Sequence, residues 1–370
     1  MSQNIQKKLE DAAIPVLPQK KDYAIGCIGA GFIMNDCHLV AYRNAGFNPA
    51  AITSLSAEER DAAAKRHTIK KVYDTWQKLV DDTDIEILDI AVPPDVQLEV
   101  LRYVAEKKHL KGILAQKPAA MSLGEIREIA AIGKTLGIPI AVNSNMRYDQ
   151  SMRALKYALD QGLLGKPILA TIEMRAIPHW QDFLKKYPRL EIYSMGIHHV
   201  DIFRYLFGDP EKITALCRTD PRTQFSHRDG IVQFSYQYKD GFIATSLDDV
   251  WAWPNEPCEK DIYIKWRVEG TEGMADGFIG WPVYPQRQPS TLRLTTKQAD
   301  GWIMPRWDTV WFPDAFVGTM ASLLRAVENG TKPEIDIEDN IKTIACVEAC
   351  YASIQEERTV RLDEVLGLHP

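Results

Sequence analysis

Residues Tyr23 to Met34, YAIGCIGAGFIM, decide how this chain folds. An apolar run ends in closely spaced glycines and passes at once into a helical pattern, which reads as a strand, a tight turn and a helix N-terminus. Gly29 and Gly31 stand where the first two glycines of a dinucleotide fingerprint turn the chain sharply and let backbone N–H groups approach a pyrophosphate. The helix dipole favours that negative charge. Phe32 and Ile33 open the helix. The third fingerprint position is Met34, in place of the Gly or Ala that normally lets helix and strand pack closely.

Outward from this stretch, strand-like and helix-like patterns alternate as far as residue 145. Residues 50–54 read as a buried strand and 57–67 as a helix rich in Ala, Glu, Arg and Lys. A strand over 86–92 stops at Pro93-Pro94 and is followed by an amphipathic helix to about residue 108. A strand over 112–116, a helix over 122–136 and a strand over 139–143 complete the series. Ser122 with Glu125 three residues on forms a capping box. Strands recurring with helical crossovers predict an α/β fold with a parallel, doubly wound sheet and ligands beyond the carboxyl ends of its strands.

Past residue 150 the pattern changes. After a helix over 150–162, the segments 168–175, 230–238, 242–248 and 262–269 run as strands without crossover helices, with Gly and Asp in their turns. They predict an α+β domain built on a large, mostly antiparallel open sheet. Helices are expected over 316–329 and 337–356. A chain of 370 residues exceeds the usual size of one core, so the expected division is an arm over 1–20, a dinucleotide-binding domain over 21–145 and a second domain over 146–370. A C-terminal helix packing back on the first domain fits this plan.

Composition excludes several function classes. The chain is 45% hydrophobic and 25% charged, an ordinary globular balance. Its net charge of −6, with no concentration of Lys and Arg, disfavours nucleic acid. No run approaches the length of a membrane span, and residues 1–20 contain no apolar core of the secretory kind. The six cysteines are scattered without zinc spacing, so no metal is expected and a reduced, cytoplasmic protein fits. Cys346 and Cys350, one turn apart, read as buried small side chains.

Several positions at predicted strand ends form one pattern. They are the Gly29/Gly31 turn with His38 in the following helix, Val92-Pro93-Pro94, Gln116-Lys117-Pro118 and the segment VNSNMRYD over 142–149. Farther on come LGKP over 164–167, GIHHVD over 196–201, EGTEG over 269–273 and TVRL over 359–362. In their order and spacing the chain resembles the glucose-fructose oxidoreductase, inositol dehydrogenase and rhizopine-catabolism (Gfo/Idh/MocA) family over residues 23–362.

The resemblance implies roles residue by residue. Lys117 takes the place of the lysine in the family's Glu-Lys-Pro segment, with Gln116 replacing the acid, and the Lys117-Pro118 bond is expected cis. His198 matches the catalytic histidine of the Gly-x-His-x-x-Asp segment, and Asp201 lies one turn on, on the same helix face. Loss of hydride from a secondary alcohol needs a base of near-neutral pKa within reach of the hydroxyl. His199 points about 100° away and reads as structural, or as a lesser substrate contact. Where many relatives carry an Asp four residues before the histidine, this chain has Ser194, which leaves support of the base to Asp201 or to Glu191. Val92, Pro93, Gln97, Gln116, Lys117 and Asn145 join Gly29, Gly31, Phe32 and Ile33 as expected cofactor contacts. Cofactor choice stays open between NAD and NADP: the second strand ends without an acid at 53–56, and Ser54, Ser56 and Arg60 could hold a 2′-phosphate.

Eight of the nine tryptophans follow residue 150, which points to a carbohydrate because aromatic faces stack on sugar C–H faces. Most of them are expected to be sheet-packing or oligomer-interface residues instead. His179 with Trp180, together with Arg147, Tyr148, Ser194 and Asp201, are the expected substrate contacts. The expectation is an NAD(P)-dependent dehydrogenase acting on a secondary hydroxyl of a sugar, sugar derivative, glycoside (at ring carbon three) or cyclitol. Its alternatives are a glycosidase working through transient oxidation with retained NAD, and a non-catalytic dinucleotide-binding sensor or corepressor. A homo-oligomer, dimer or tetramer, assembled through the C-terminal sheet is expected in similar proteins.

Overall fold

The computed structural model describes residues 2–176, 182–250, 262–280 and 288–368. The chain forms two compact units. One comprises residues 15–148 and 312–344, the other residues 1–14, 149–311 and 345–370.

The first unit is built on six parallel strands: β1 (Ala24–Ile28), β2 (Asn48–Thr53), β3 (Lys71–Tyr73), β4 (Ile87–Ile90), β5 (Gly112–Ala115) and β6 (Ile140–Val142). Their order is β3-β2-β1-β4-β5-β6, so the chain reverses its direction of travel between β1 and β4. Every residue of β4 and β5 is buried, as expected for strands covered on both faces. The crossovers are α2 (Leu39–Ala45), α3 (Ala57–His67), α4 (Trp76–Asp81), α5 (Pro94–Val104) and α6 (Leu123–Leu136). Ser56 caps α3 by accepting from the Glu59 amide at 3.2 Å, and Ser122 caps α6 by accepting from the Glu125 amide at 3.2 Å. The Glu125 carboxylate returns to the Met121 amide at 2.8 Å, closing the predicted box one residue earlier than its usual form. A late segment, α9 (Ala315–Asn329), packs on β5 and β6. Gly112 admits it: a Cβ there would stand 2.9 Å from Val327 Cγ2.

Met34 is accommodated by a change of winding. The chain between the glycine turn and α2 is a π-helix over Ile33–His38, with Met34 buried. The wider π turn, a form that tends to occur at functional positions, carries a large apolar side chain where a small residue usually permits close packing.

The second unit is a nine-stranded sheet. It contains β7 (Pro167–Arg175), β8 (Lys212–Arg218), β9 (Ile231–Gln237), β10 (Ile243–Asp249), β11 (Tyr263–Gly270), β12 (Gly273–Ile279), β13 (Thr291–Thr296), β14 (Ala299–Ile303) and β15 (Val360–Arg361). The order is β14-β13-β12-β11-β7-β10-β9-β8-β15, antiparallel except for the β7–β10 pair. Side chains alternate strictly between faces. On β7, Ala170, Ile172 and Met174 turn to the covered face, and on β10 so do Ala244, Ser246 and Asp248. α8 (Ile197–Phe207) lies on that face, with Phe203 edge-on to Phe234 and Tyr236 at centroid distances of 6.2 and 5.8 Å. The opposite face exposes Leu216, Ile243, Leu247 and Phe278 among polar neighbours. α7 (Gln150–Asp160) packs beside α8, and α10 (Ile337–Glu356) and α11 (Leu362–Leu366) close the chain.

Residues 2–12 form a helix, α1 (Ser2–Ala12), which buries Ile5 and Leu9 and packs on α7 and β14. Among the described residues, no helix is long and apolar enough to cross a membrane, and no cluster of His, Cys, Asp or Glu could hold a metal ion.

Candidate active site

In the first unit, the ends of β1, β2 and β4 meet at Gly29. Its amide donates to the Thr53 carbonyl at 2.8 Å, and the Ala91 amide donates to the Ile28 carbonyl at 2.8 Å. Gly29 has φ +107°, and a Cβ would stand 2.4 Å from the Ala91 carbonyl oxygen, so only glycine fits this turn. Gly31 differs: a Cβ there would meet nothing within 4 Å. The turn thus leaves open space against exposed backbone at a helix start, beside the reversal of strand order, which is what a pyrophosphate requires. Phe32 is exposed and Ile33 half-buried, as are Val92 and Pro93 at the end of β4. A dinucleotide therefore fits the residues present.

At the end of β2, Thr53 is buried and Ser54 half-buried. Ser56 is engaged as the α3 cap, and the Arg60 guanidinium pairs with Asp61 at 2.8 Å. Glu58 and Glu59 fall in the first turn of α3, past the strand end.

Lys117 follows β5 and is half-buried, and its bond to Pro118 is cis. Gln97, expected on the cofactor, is instead completely buried. Its Oε1 accepts from the Gln116 amide at 2.6 Å, and its Nε2 donates to the carbonyls of Gln116 and Ala119 at 3.0 and 3.1 Å. Its carboxamide is therefore committed to the 116–119 backbone, and Gln97 shapes the Lys117 turn from beneath.

Asn145, Arg147 and Tyr148 are all buried in the first unit. Asn145 donates to the Asn143 carbonyl at 3.4 Å. The Arg147 guanidinium reaches the Glu334 carbonyl and the Asp339 carboxylate, each at 3.2 Å, and the Tyr148 hydroxyl reaches Glu334 at 3.4 Å. These bonds tie the segment after β6 to residues 334–339.

In the second unit, His198 lies one residue into α8 and is 4% exposed, as is Asp201. The His198 ring stands edge-on to the fully buried Trp311 at 5.7 Å. The helix is again entered through π winding, over Ile192–Gly196, with Ser194 half-buried in it. The buried Asp229 carboxylate holds this entrance, accepting from the Leu190 amide at 2.7 Å, the Ile192 amide at 3.0 Å and the Tyr351 hydroxyl at 2.7 Å. Burial pushes its pKa up, against the pull of those donors. Glu191 is fully buried. His199 faces the sheet, as expected: its Nδ1 is 2.8 Å from Asp248 Oδ1 and 3.1 Å from Ser246 Oγ, which pins α8 to β10. His179 and Trp180 lie outside the described residues.

Two groups of supporting residues were not singled out from the sequence. Asp229 gave no signal, being one acid in a loop. Asp89 did: a carboxylate inside the otherwise apolar, two-face-buried strand β4 demands a buried partner, and it pairs with His38 and Tyr42 at 2.7 and 2.6 Å.

Residues 23–144 match the Gfo/Idh/MocA family model described as "Oxidoreductase family, NAD-binding Rossmann fold", and residues 156–362 match its "Oxidoreductase family, C-terminal alpha/beta domain". The chain is 25% identical over 342 residues to a D-apiose dehydrogenase of Paraburkholderia graminis, covering 90% of this chain and 88% of that protein. It is 26% identical over 328 residues to a 1,5-anhydro-D-fructose reductase of Ensifer adhaerens, covering 86% and 92%. Among solved structures, a levoglucosan dehydrogenase in complex with NADH and L-sorbose superposes with a TM-score of 0.79 at 19% identity, over 93% of this chain and 99% of that one, a likeness of fold.

Proposed function

The chain belongs to the Gfo/Idh/MocA family of oxidoreductases, and from that premise we propose that it is an NAD(P)-dependent dehydrogenase of a secondary hydroxyl on a sugar, sugar derivative, glycoside or cyclitol. The observation that carries the reading is the pair of glycines: one forced by a closed turn, the other facing open space at the helix start. The relatives named above for apiose and anhydrofructose support a sugar-like substrate.

Gly29, Gly31, Phe32, Ile33, Val92 and Pro93 would hold the dinucleotide, with Ser54, Ser56 and Arg60 at its adenosine end. When bound, the nicotinamide takes up or returns a hydride. Lys117 polarises the substrate oxygen, and His198 accepts the hydroxyl proton. Asp201, one turn along α8, supports the imidazolium that forms, while Ser194 supplies a hydrogen bond without charge. The exposed apolar side chains on the outer face of the nine-stranded sheet support a homo-oligomer assembled there, which light scattering reads directly.

The test is a panel of glucosides, hexoses, inositols and sugar acids offered with NAD and with NADP, with reduced cofactor followed by absorbance. Net accumulation supports a dehydrogenase. Sugar cleavage without net reduction overturns it in favour of transient oxidation. Tight cofactor binding with no reduction by any sugar overturns it in favour of a sensor. With an active sugar, His198→Ala lowers turnover at least ~10²-fold while leaving dinucleotide affinity unchanged, and unchanged turnover removes His198 from the chemistry.

A further inference from the structure

Behind the Lys117 turn, inside the first unit, runs a chain of buried polar side chains whose hydrogen positions are dictated by its two ends. At one end the Lys117 backbone N–H, which can only donate, lies 2.9 Å from Gln116 Oε1. That atom is therefore the carbonyl, and the Gln116 amino group is the one that faces His38 Nε2, at 3.4 Å. Asn143 Nδ2 lies 3.2 Å from the same Gln116 carbonyl, so it too is an amino group, and it stands 3.0 Å from His38 Nε2. Two donors converge on one ring nitrogen, which must offer its lone pair.

The other end agrees. His38 Nδ1 is 2.7 Å from Asp89 Oδ2, which also accepts the Tyr42 hydroxyl at 2.6 Å, and that approach requires a proton on Nδ1. Cys27, on β1, and Tyr42, on α2, have pKa values raised well above normal by burial and then by the Asp89 charge, so both stay protonated. From α9 the Phe316 ring faces His38, 4.9 Å away. Turning the Asn143 amide over would offer its oxygen to Nε2 but set it against the Gln116 carbonyl.

We propose that Gln116 is a positioning residue: with Asn143 it locks His38 as a neutral imidazole protonated on Nδ1, and this fixed network holds the Lys117 peptide in place. A glutamate at 116 would turn an acceptor toward Nε2, draw a second proton onto the ring and shift the strand end. The catalytic consequence rests on the role proposed for Lys117, whereas the protonation state does not.

The experiment is two-bond ¹H–¹⁵N correlation NMR of full-length protein labelled at histidine nitrogen, wild type and Gln116→Glu, over about pH 5.5–8.5. The His38 signal is assigned by its loss in His38→Gln, or by through-bond correlation if that variant does not fold. In the wild type at neutral pH Nδ1 should carry the proton and Nε2 remain bare. In Gln116→Glu both nitrogens should be protonated at neutral pH, and turnover with an active sugar should fall about tenfold. A wild-type His38 that is protonated on Nε2 at neutral pH overturns the proposal, as does a changed Gln116→Glu spectrum with unchanged turnover. Spectra as expected in a protein that reduces no cofactor would support the lock while the dehydrogenase reading fails. An imidazolium at His38 in an active wild type would sink the lock alone.

Discussion

Replacing each of the two turn glycines with alanine separates folding from binding. At Gly29 a side chain must adopt φ +107°, which costs an L-residue about 1–2 kcal/mol. Its Cβ would also stand 2.4 Å from the Ala91 oxygen and 3.1 Å from the Ala91 carbonyl carbon. A carbon and an oxygen need about 3.3 Å, so the end of β4 or the turn must move by about 1 Å. Overpacking of this kind costs about 1–3 kcal/mol, and together the two effects give about 2–5 kcal/mol. Amide exchange read by mass spectrometry on peptides covering Ile25–Ile28 and Ile87–Ile90 should accelerate at least about 30-fold in Gly29→Ala. Gly31→Ala meets nothing within 4 Å, so its exchange should match the wild type, corresponding to a change within about 0.5 kcal/mol. Its new methyl instead occupies the space left for pyrophosphate, and titration calorimetry should show NAD or NADP binding weakened at least about tenfold, or 1.4 kcal/mol. Gly31→Ala binding like wild type, or losing protection as Gly29→Ala does, would refute the argument.

Other consequences are independent of the chemistry. Ser122→Ala removes the acceptor for the Glu125 amide and should cost about 1 kcal/mol of stability, read by urea unfolding. Cys27, Cys37, Cys346 and Cys350 are buried, with Cys346 pushed up to about 12 by burial, while Cys217 is half-buried. Among these five, Cys217 should be the first to react with iodoacetamide in native protein, as peptide mapping would show. At Asp82 burial raises the carboxyl pKa, but the Lys71 ammonium and Tyr73 hydroxyl overcome it and hold the pKa at about 2. A depressed folded pKa stabilises above the unfolded value of about 4 and is lost as pH falls toward 2. Asp82→Asn should therefore flatten the loss of stability over that interval, measured by acid titration of circular dichroism.

Long elements with their own signals were legible in the sequence. The helix over Ala57–His67 carries good helix formers and a serine cap, and it occupies the predicted residues. β7, β9, β10 and β11 could be read through period-two alternation, each bound falling within a residue or two of expectation, whereas β8 was missed. β3 and α4, of three and six residues, escaped because so short a segment owes its form to neighbours rather than to its own pattern. The π winding around Met34 and before His198 was equally hidden, since no residue type signals it. The positive-φ turn at Gly29 and the cis Lys117-Pro118 bond could be found from motif order. Gln97 was misjudged because its position after Pro93-Pro94 is equally that of a residue facing the cofactor and of one facing the adjoining backbone. Only the hydrogen-bond partners distinguish the two.

The proposed reaction is direct hydride transfer from a sugar carbon to a bound nicotinamide. The most direct measurement offers sugars of the test panel deuterated at ring carbons, with NAD and NADP, and weighs the reduced cofactor by mass spectrometry. One deuterium per reduced nicotinamide, from a single ring position, is expected. Reduced cofactor without label, or none from any sugar despite tight dinucleotide binding, would contradict it.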